Sequence, residues 1–184
     1  MMLDLDEAAA ALKAGQIIAH PTEGVFGLAA DAANEAAVRA LLDLKKRPEE
    51  KGFIVMADSL ARIKPWLKPL SEDEEAKIMN ATEGDYRYTW IVPISEQCPR
   101  YLSGQFESLA IRITSHPLAH SLCERFGGAI VSTSANISRE APLKSAEAIV
   151  NLFKSDIAGV LAGSVGTLSR STRIDDLKTG QRIR

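Results

Sequence analysis

Long apolar runs are missing from this chain. No stretch approaches the ~20 consecutive apolar residues that a membrane-spanning helix needs, and the opening MMLDLDEAAA is acidic and helix-like, without the basic and apolar regions of a secretory leader. Cysteine is scarce: Cys98 and Cys123 form no CxxC pair and no zinc-like cluster, so they read as reduced thiols. A basic excess is also lacking. The net charge is -2 and the pI near 6.0, which argues against a protein whose main business is coating nucleic acid. Several catalytic fingerprints are absent too. There is no GxxxxGK[ST], no GxGxxG, no GxSxG and no HExxH, so a P-loop ATPase, a dinucleotide enzyme, an α/β-hydrolase and a zinc protease all lack their marks.

What is present is a soluble globular composition, 46% hydrophobic and 25% charged over 184 residues. That suits one domain with its own core and a cytoplasmic location. Asp4 or Asp6 can cap a first helix that Gly15 stops, Asn34 a second, and Ser145 another. Ser71 and Glu74 have capping-box spacing, and Pro117 to Phe126 reads as a helix halted by Gly127. Apolar runs at Gln16 to His20, Phe53 to Ala57, Tyr88 to Ile94, Leu109 to Thr114, Ala129 to Val131 and Ile157 to Leu161 read as strands. Leu60 to Trp66 reads as a short helix, and the tail as one or two short strands. Strands alternating with helices, with no repeat and no linker, give a single α/β or α+β domain over 1–184.

Four segments carry polar chemistry. Lys45-Lys46-Arg47-Pro48, followed by Lys51, is either a charged helix end favoured by the macrodipole or a cation cluster for a triphosphate. Ser132-Thr133-Ser134-Ala135-Asn136 leaves an apolar strand as either a capped turn or a cradle for phosphate or carboxylate oxygens. The Pro21-Thr22-Glu23-Gly24 loop also follows a strand, and alone reads as a plain turn. Arg112 lies among buried aliphatics, where it needs a partner, a ligand or a wet face. His116 and His120 are spaced i,i+4 but lack the further ligand a metal site needs. His20 reads as a neighbour of a site rather than its base. Asp175-Asp176 and the run Glu72 to Glu75 read as solvated surface.

Taken in order, these segments resemble the YrdC-like family, the threonylcarbamoyl-AMP synthases. PTEGVFGL is similar to that family's Pro-Thr-Glu loop, KKRPEEKGFIVMA to its Lys-x-Arg-Pro segment, YTWIVP to its threonine-containing strand, and SLAIRITSHPL to its Ala-x-Arg strand. VSTSAN is similar to its Ser-Thr-Ser-Ala-Asn turn, and STRIDDLKTGQRIR to its closing segment. The resemblance implies a twisted mixed sheet flanked by helices, with a large concave cavity. It implies that L-threonine takes up bicarbonate as a carbamate, which attacks the α-phosphate of ATP and expels pyrophosphate. The product would pass to partner proteins that modify tRNA beside the anticodon.

The resemblance also assigns residues. Lys45 and Arg47 would hold the triphosphate or the threonine carboxylate, with Lys51 nearby, and Thr22 would help bind threonine. Thr89, Arg112 and Ser132 would face threonine and nucleotide, and Ser134 and Asn136 would contact ATP. Ser171 or Thr172 and Arg182 or Arg184 would close the site. Mg2+ would arrive with ATP, with no metal held by the protein, and no protein nucleophile is needed. The chain departs from the family pattern at Gly24, at Asp85-Tyr86-Arg87-Tyr88, at Arg139 and at Arg173. Two other readings stand beside this one: a structured-RNA-binding module built on the Lys45–Arg47 cluster and Arg112, with weak tRNA affinity, and an ATP-dependent enzyme acting on another amine.

Overall fold

The computed structural model of the chain describes residues 1–80, 82, 83, 86–137, 143, 145–168 and 172–183, with backbone alone at 82, 83 and 86. The strands are β1 (Met2–Leu3), β2 (Ile18–Pro21), β3 (Phe26–Asp31), β4 (Ile54–Ala57), β5 (Thr82–Glu83), β6 (Tyr86–Pro93), β7 (Ser108–Ile113), β8 (Ile130–Ser134), β9 (Gly159–Leu161) and β10 (Arg173–Asp176). The helices are α1 (Leu5–Lys13), α2 (Glu35–Lys45), α3 (Glu72–Met79), α4 (Arg100–Ser103), α5 (Pro117–Phe126) and α6 (Ala146–Phe153). The sheet runs β1-β9-β2-β3-β8-β4-β7-β6-β10, with β5 paired to β6. Its centre, β2-β3-β8-β4, is antiparallel, whereas β4 with β7, β6 with β10, and β9 with both β1 and β2 are parallel. The expected mixed sheet flanked by helices is the architecture observed. No helix among the described residues is long and apolar enough to cross a membrane.

Register determines where the chemistry lies, because residues aligned across a sheet share a face and alternate residues oppose it. Ala30, Val131, Val55 and Ile111 align across four strands. They join a core completed by Val38, Leu41 and Leu42 of α2 and by Ile149 and Phe153 of α6. The other face divides. Ile18, Ala29, Ile130 and Met56 pack under Ala8, Ala11 and Leu12 of α1 and Ala119, Leu122 and Cys123 of α5. The remainder of that face carries His20, Ser132, Ser134 and Arg112 by the same alternation, with Thr89 one step beyond the Trp90–Ile111 pair.

The caps follow the local chemistry. Asp4 and Ser71 close capping boxes with Glu7 and Glu74, and Asn34 and Ser145 accept the first free amides of α2 and α6. Several elements differ from the sequence reading. Leu60 to Trp66 is two 3-10 turns rather than one helix. The hydroxyls of Ser132 and Ser134 stand within β8 rather than in the turn after it. Strand β3 is not among the strands read from the sequence, because FGLAAD is rich in Gly and Ala, which strands disfavour. It is nonetheless a central strand, with Leu28, Ala29 and Ala30 fully buried. Small residues suit it because both of its faces are covered. The two-residue β1 and the single-turn α4 are too short to show a period.

Leu28 lies on the core face between β2 and β8. Leu28→Ala is therefore expected to lower unfolding stability by about 2–5 kcal/mol, measured by urea titration.

Candidate active site

Lys45 is the last residue of α2 and is buried. Its ammonium donates to the Ser134 carbonyl at 2.6 Å, the Asn136 carbonyl at 2.7 Å and Asn136 Oδ1 at 2.8 Å. An ammonium has three donors, so all are occupied within the protein. Ser134 Oγ donates to the same Asn136 Oδ1 at 2.9 Å, closing the turn on itself. Burial, and after it the charge on Arg47, push the Lys45 pKa down to about 8. The three oxygens oppose that loss of charge.

Lys46 takes the left-handed conformation, φ 50, and ends the helix so that Arg47 departs in another direction. The half-buried Arg47 donates from Nε and Nη2 to the Gly52 carbonyl at 3.3 and 2.9 Å. Its guanidinium lies 5.4 Å from the centre of the Phe53 ring. Gly52 leads into β4, whose Ile54 pairs with Ser132, so Arg47 stands at the end of β8 that carries Ser134. A guanidinium has five N–H donors, and two of them meet Gly52. Burial lowers the Arg47 pKa, yet arginine keeps its charge.

A second cluster surrounds Arg112. Its Nε and Nη2 donate to Thr89 Oγ1 at 3.0 and 2.8 Å, and Nη2 donates to Thr172 Oγ1 at 2.6 Å. Nη1 lies 3.8 Å from Glu23 Oε2. The other carboxylate oxygen of Glu23 accepts from Thr114 Oγ1 at 3.0 Å. Glu23 and Arg112 are 7% and 9% exposed, so this is a buried ion pair. Burial alone would raise the Glu23 pKa. The Arg112 charge, a backbone N–H and the Thr114 hydroxyl outweigh it and hold the carboxyl below its usual range.

The loop after β2 completes the arrangement. Thr22 Oγ1 donates to the Val25 carbonyl at 2.7 Å. The 163–168 segment folds over this loop, with Gly166 N–H donating to the Thr22 carbonyl and Leu168 N–H to the Glu23 carbonyl. A Cβ on Gly24 would lie 2.7 Å from the Leu168 carbonyl oxygen. That close approach accounts for glycine at position 24. His20 is fully buried. Its Nδ1 is 3.2 Å from the Pro21 carbonyl and its Nε2 is 3.3 Å from Ser132 Oγ. Burial drops the His20 pKa to about 4 against the raising effects of Pro21 and Glu23.

The structure thus brings Lys45, Ser134 and Asn136 into contact and sets Arg47 beside them. Arg112, Thr89 and Thr172 are joined two strands away on the same face. Lys51 and Arg182 are exposed, and among the described residues neither side chain bonds to this group. Ser171, Arg184, Arg139 and Asp85 lie outside the described residues. Arg173 pairs with Asp175 and covers the Tyr88 ring, and among the described residues of the closing segment Thr172 offers its hydroxyl oxygen to Arg112. Asp175 was read as solvated surface and is 3% exposed, because it pairs beside Trp90 in the sheet. His116 caps α5 by accepting from Ala119 N–H, while its Nε2 meets the Ser164 carbonyl. Both ring nitrogens therefore serve the fold. Among the described residues no group of three His, Cys, Asp or Glu could hold a metal. Glu23 and Thr114 were missed. Arg112 among aliphatics was itself the signal that a buried carboxylate must stand near it.

The Sua5/yciO/yrdC family profile, described as "Telomere recombination", matches residues 10–183. A protein of Xanthomonas axonopodis pv. citri named threonylcarbamoyl-AMP synthase is 41% identical, covering 99% of this chain and 97% of its own. A Xanthomonas oryzae pv. oryzae protein of the same name is 39% identical over the full chain and 98% of its own length. Among solved structures, P. abyssi Sua5 complexed with L-threonine superposes with a TM-score of 0.87 at 26% identity, covering 99% of this chain and 56% of that one. This chain therefore spans little over half the length of that protein. E. coli YciO shares the fold, with a TM-score of 0.80 at 21% identity.

Two outcomes follow from the buried charges. Glu23→Gln removes the counter-ion of a buried arginine and is expected to destabilise by about 3 kcal/mol. The double variant with Arg112→Met should lose less than the sum of the two single variants, as read from a double-mutant cycle in urea. For His20, the folded pKa lies below the ordinary 6.5. Between pH 6.5 and 4 the unfolded chain binds the extra proton, so stability is full above that window and falls by roughly 3 kcal/mol across it. In His20→Phe the same acid titration should show a smaller loss.

Proposed function

The chain belongs to the Sua5/yciO/yrdC family, and from that membership and the geometry of its polar face we propose that it makes threonylcarbamoyl-AMP from L-threonine, bicarbonate and ATP. The observation that carries this reading is the Lys45–Ser134–Asn136 cluster with Arg47 beside it. It forms one rigid polar corner at the end of β8, where a nucleotide's phosphates can lie in the concave cavity that the family fold implies.

In the proposed reaction the threonine amine adds to bicarbonate, water leaves, and a carbamate forms. A carbamate oxygen then attacks the α-phosphorus of ATP, the bond to the β-phosphate breaks, and pyrophosphate departs. The displacement needs alignment and charge neutralisation more than a protein nucleophile. Among the described residues of this corner, Arg47 is the cation with donors left for the phosphates, since Lys45 has all three bound to Ser134 and Asn136. Lys45 acts by holding Ser134 and Asn136 in place. Mg2+ enters as part of the ATP substrate. Arg112, clamped by Glu23, Thr89 and Thr172, ties the PTE loop and the closing segment to the sheet around the threonine end. Ser171, Lys51, Arg182 and Arg184 stay as candidates for closing the site. The product is then handed, in the cytoplasm, to proteins that place the threonylcarbamoyl group on tRNA.

An RNA-binding module finds less support. Its basic patch needs Lys45 and Arg112 on an accessible surface, and both are buried with protein partners. A different amine substrate is separated by the assay itself.

Pyrophosphate release should require ATP, bicarbonate and threonine together, with each omission abolishing it. Release with another amino acid in preference to threonine would overturn the substrate assignment. Arg47→Ala should lower turnover ~10²–10³-fold with its thermal midpoint nearly unchanged. Wild-type turnover in that variant would remove Arg47 from the site.

A further inference from the structure

The hydroxyl of Ser132 has a partner that the function above does not use. His20 on β2 and Ser132 on β8 are separated by β3. Their side chains meet because the residue between them is Gly27, which pairs directly with His20. A Cβ at Gly27 would lie 3.0 Å from His20 Nε2 and 3.2 Å from Ser132 Oγ. The absence of a side chain is therefore what opens the path. The imidazole crosses β3 over this gap and reaches Ser132 at 3.3 Å.

The direction of that bond follows from the other ring nitrogen. His20 Nδ1 faces the Pro21 carbonyl at 3.2 Å, and a carbonyl only accepts, so Nδ1 carries the proton. A neutral imidazole then has a lone pair at Nε2, and Ser132 must donate to it. Full burial keeps the ring neutral. Ser132 itself is 8% exposed and aligns with Ile54 on β4. Ile54, Ala110 and Ile91 continue that row as half-buried residues. It thus lies between the Lys45–Asn136 corner and the Arg112 cluster.

We propose that His20 is a positioning residue: by accepting the Ser132 proton it leaves Ser132 only lone pairs to offer, and so assigns Ser132 to an N–H of the substrate amine rather than to an anionic oxygen. The proposal rests on the threonylcarbamoyl-AMP reading. Phosphate and carboxylate oxygens need donors, and a Ser132 so committed repels them. The amine of threonine is the donor that must lie just beyond the α-phosphate. An acceptor on its N–H orients the nitrogen while leaving its lone pair free for carbon. His20 exchanges no proton with the substrate.

The test combines kinetics with a readout that needs no turnover. His20→Phe keeps the ring's bulk and removes the acceptor. Its KM for threonine should rise ~10-fold with kcat and the KM for ATP within about twofold, the pattern of lost uniform binding. Ser132→Ala should do the same, and the double variant should be no worse than Ser132→Ala alone. His20→Gln, which can place an amide oxygen near the Nε2 position, should recover part of the affinity and covers the case in which His20→Phe does not fold. In wild-type protein with 15N-labelled histidine, NMR should show the Nδ1–H tautomer, with the Nε2 resonance moving in Ser132→Ala. Additive effects of the two variants, an unchanged threonine KM, or an Nε2–H tautomer would each overturn the proposal. Failure of the function reading looks different: the wild type itself would release no threonine-dependent pyrophosphate, while the tautomer would still decide the His20–Ser132 bond.

Discussion

One ammonium holds the polar corner together. Lys45 ends α2, and its three bonds end on the last carbonyl of β8 and on the backbone and side chain of Asn136 in the turn that follows. A buried cation is tolerated only where oxygens replace its water. Here the replacement also joins a helix terminus to a strand terminus across some ninety residues of chain. The turn needs that brace because its own amide and hydroxyl groups would otherwise compete for local partners. Arg47, two residues on, inherits its position from the same helix end and from the Gly52 carbonyl.

A second regularity concerns protons. Thr22 gives its hydroxyl proton to Val25, and Ser134 gives its proton to Asn136. With the Ser132–His20 contact, three hydroxyls on the polar face have their protons directed into the protein. Thr89 differs, because its oxygen accepts twice from Arg112 and its proton remains to be given. A row of serines and threonines is thus a patterned surface of acceptors and donors rather than a uniform anion cradle.

Much of this was legible beforehand. Helix starts at Asp4, Asn34, Ser71 and Ser145 are written in residues whose side chains reach a local amide, so they need no tertiary information. Strand β3 was hidden because its Gly and Ala residues answer a tertiary demand, two covered faces and a path for His20, that no local period expresses. The KKR cluster drew attention as a set of like charges. In the fold its members separate: Lys45 is enclosed, Lys46 is the left-handed cap, and Arg47 turns to the Gly52 carbonyl. Arg112 was legible as an anomaly, but its partner Glu23 lies 89 positions away in the chain, and only the folded sheet brings the two together. Gly24 likewise answers to the Leu168 carbonyl, 144 positions away.

In the proposed function Lys45 builds the phosphate corner from within instead of touching phosphate itself. Calorimetric titration of ATP into Lys45→Met is the direct measurement, with far-UV circular dichroism establishing that the sheet and helices persist. Met is unbranched and one atom shorter, and leaves Ser134 and Asn136 without their brace, so ATP affinity should fall at least tenfold, and a structure of the variant should show the turn displaced. ATP binding equal to that of the wild type in a folded Lys45→Met protein would contradict the account.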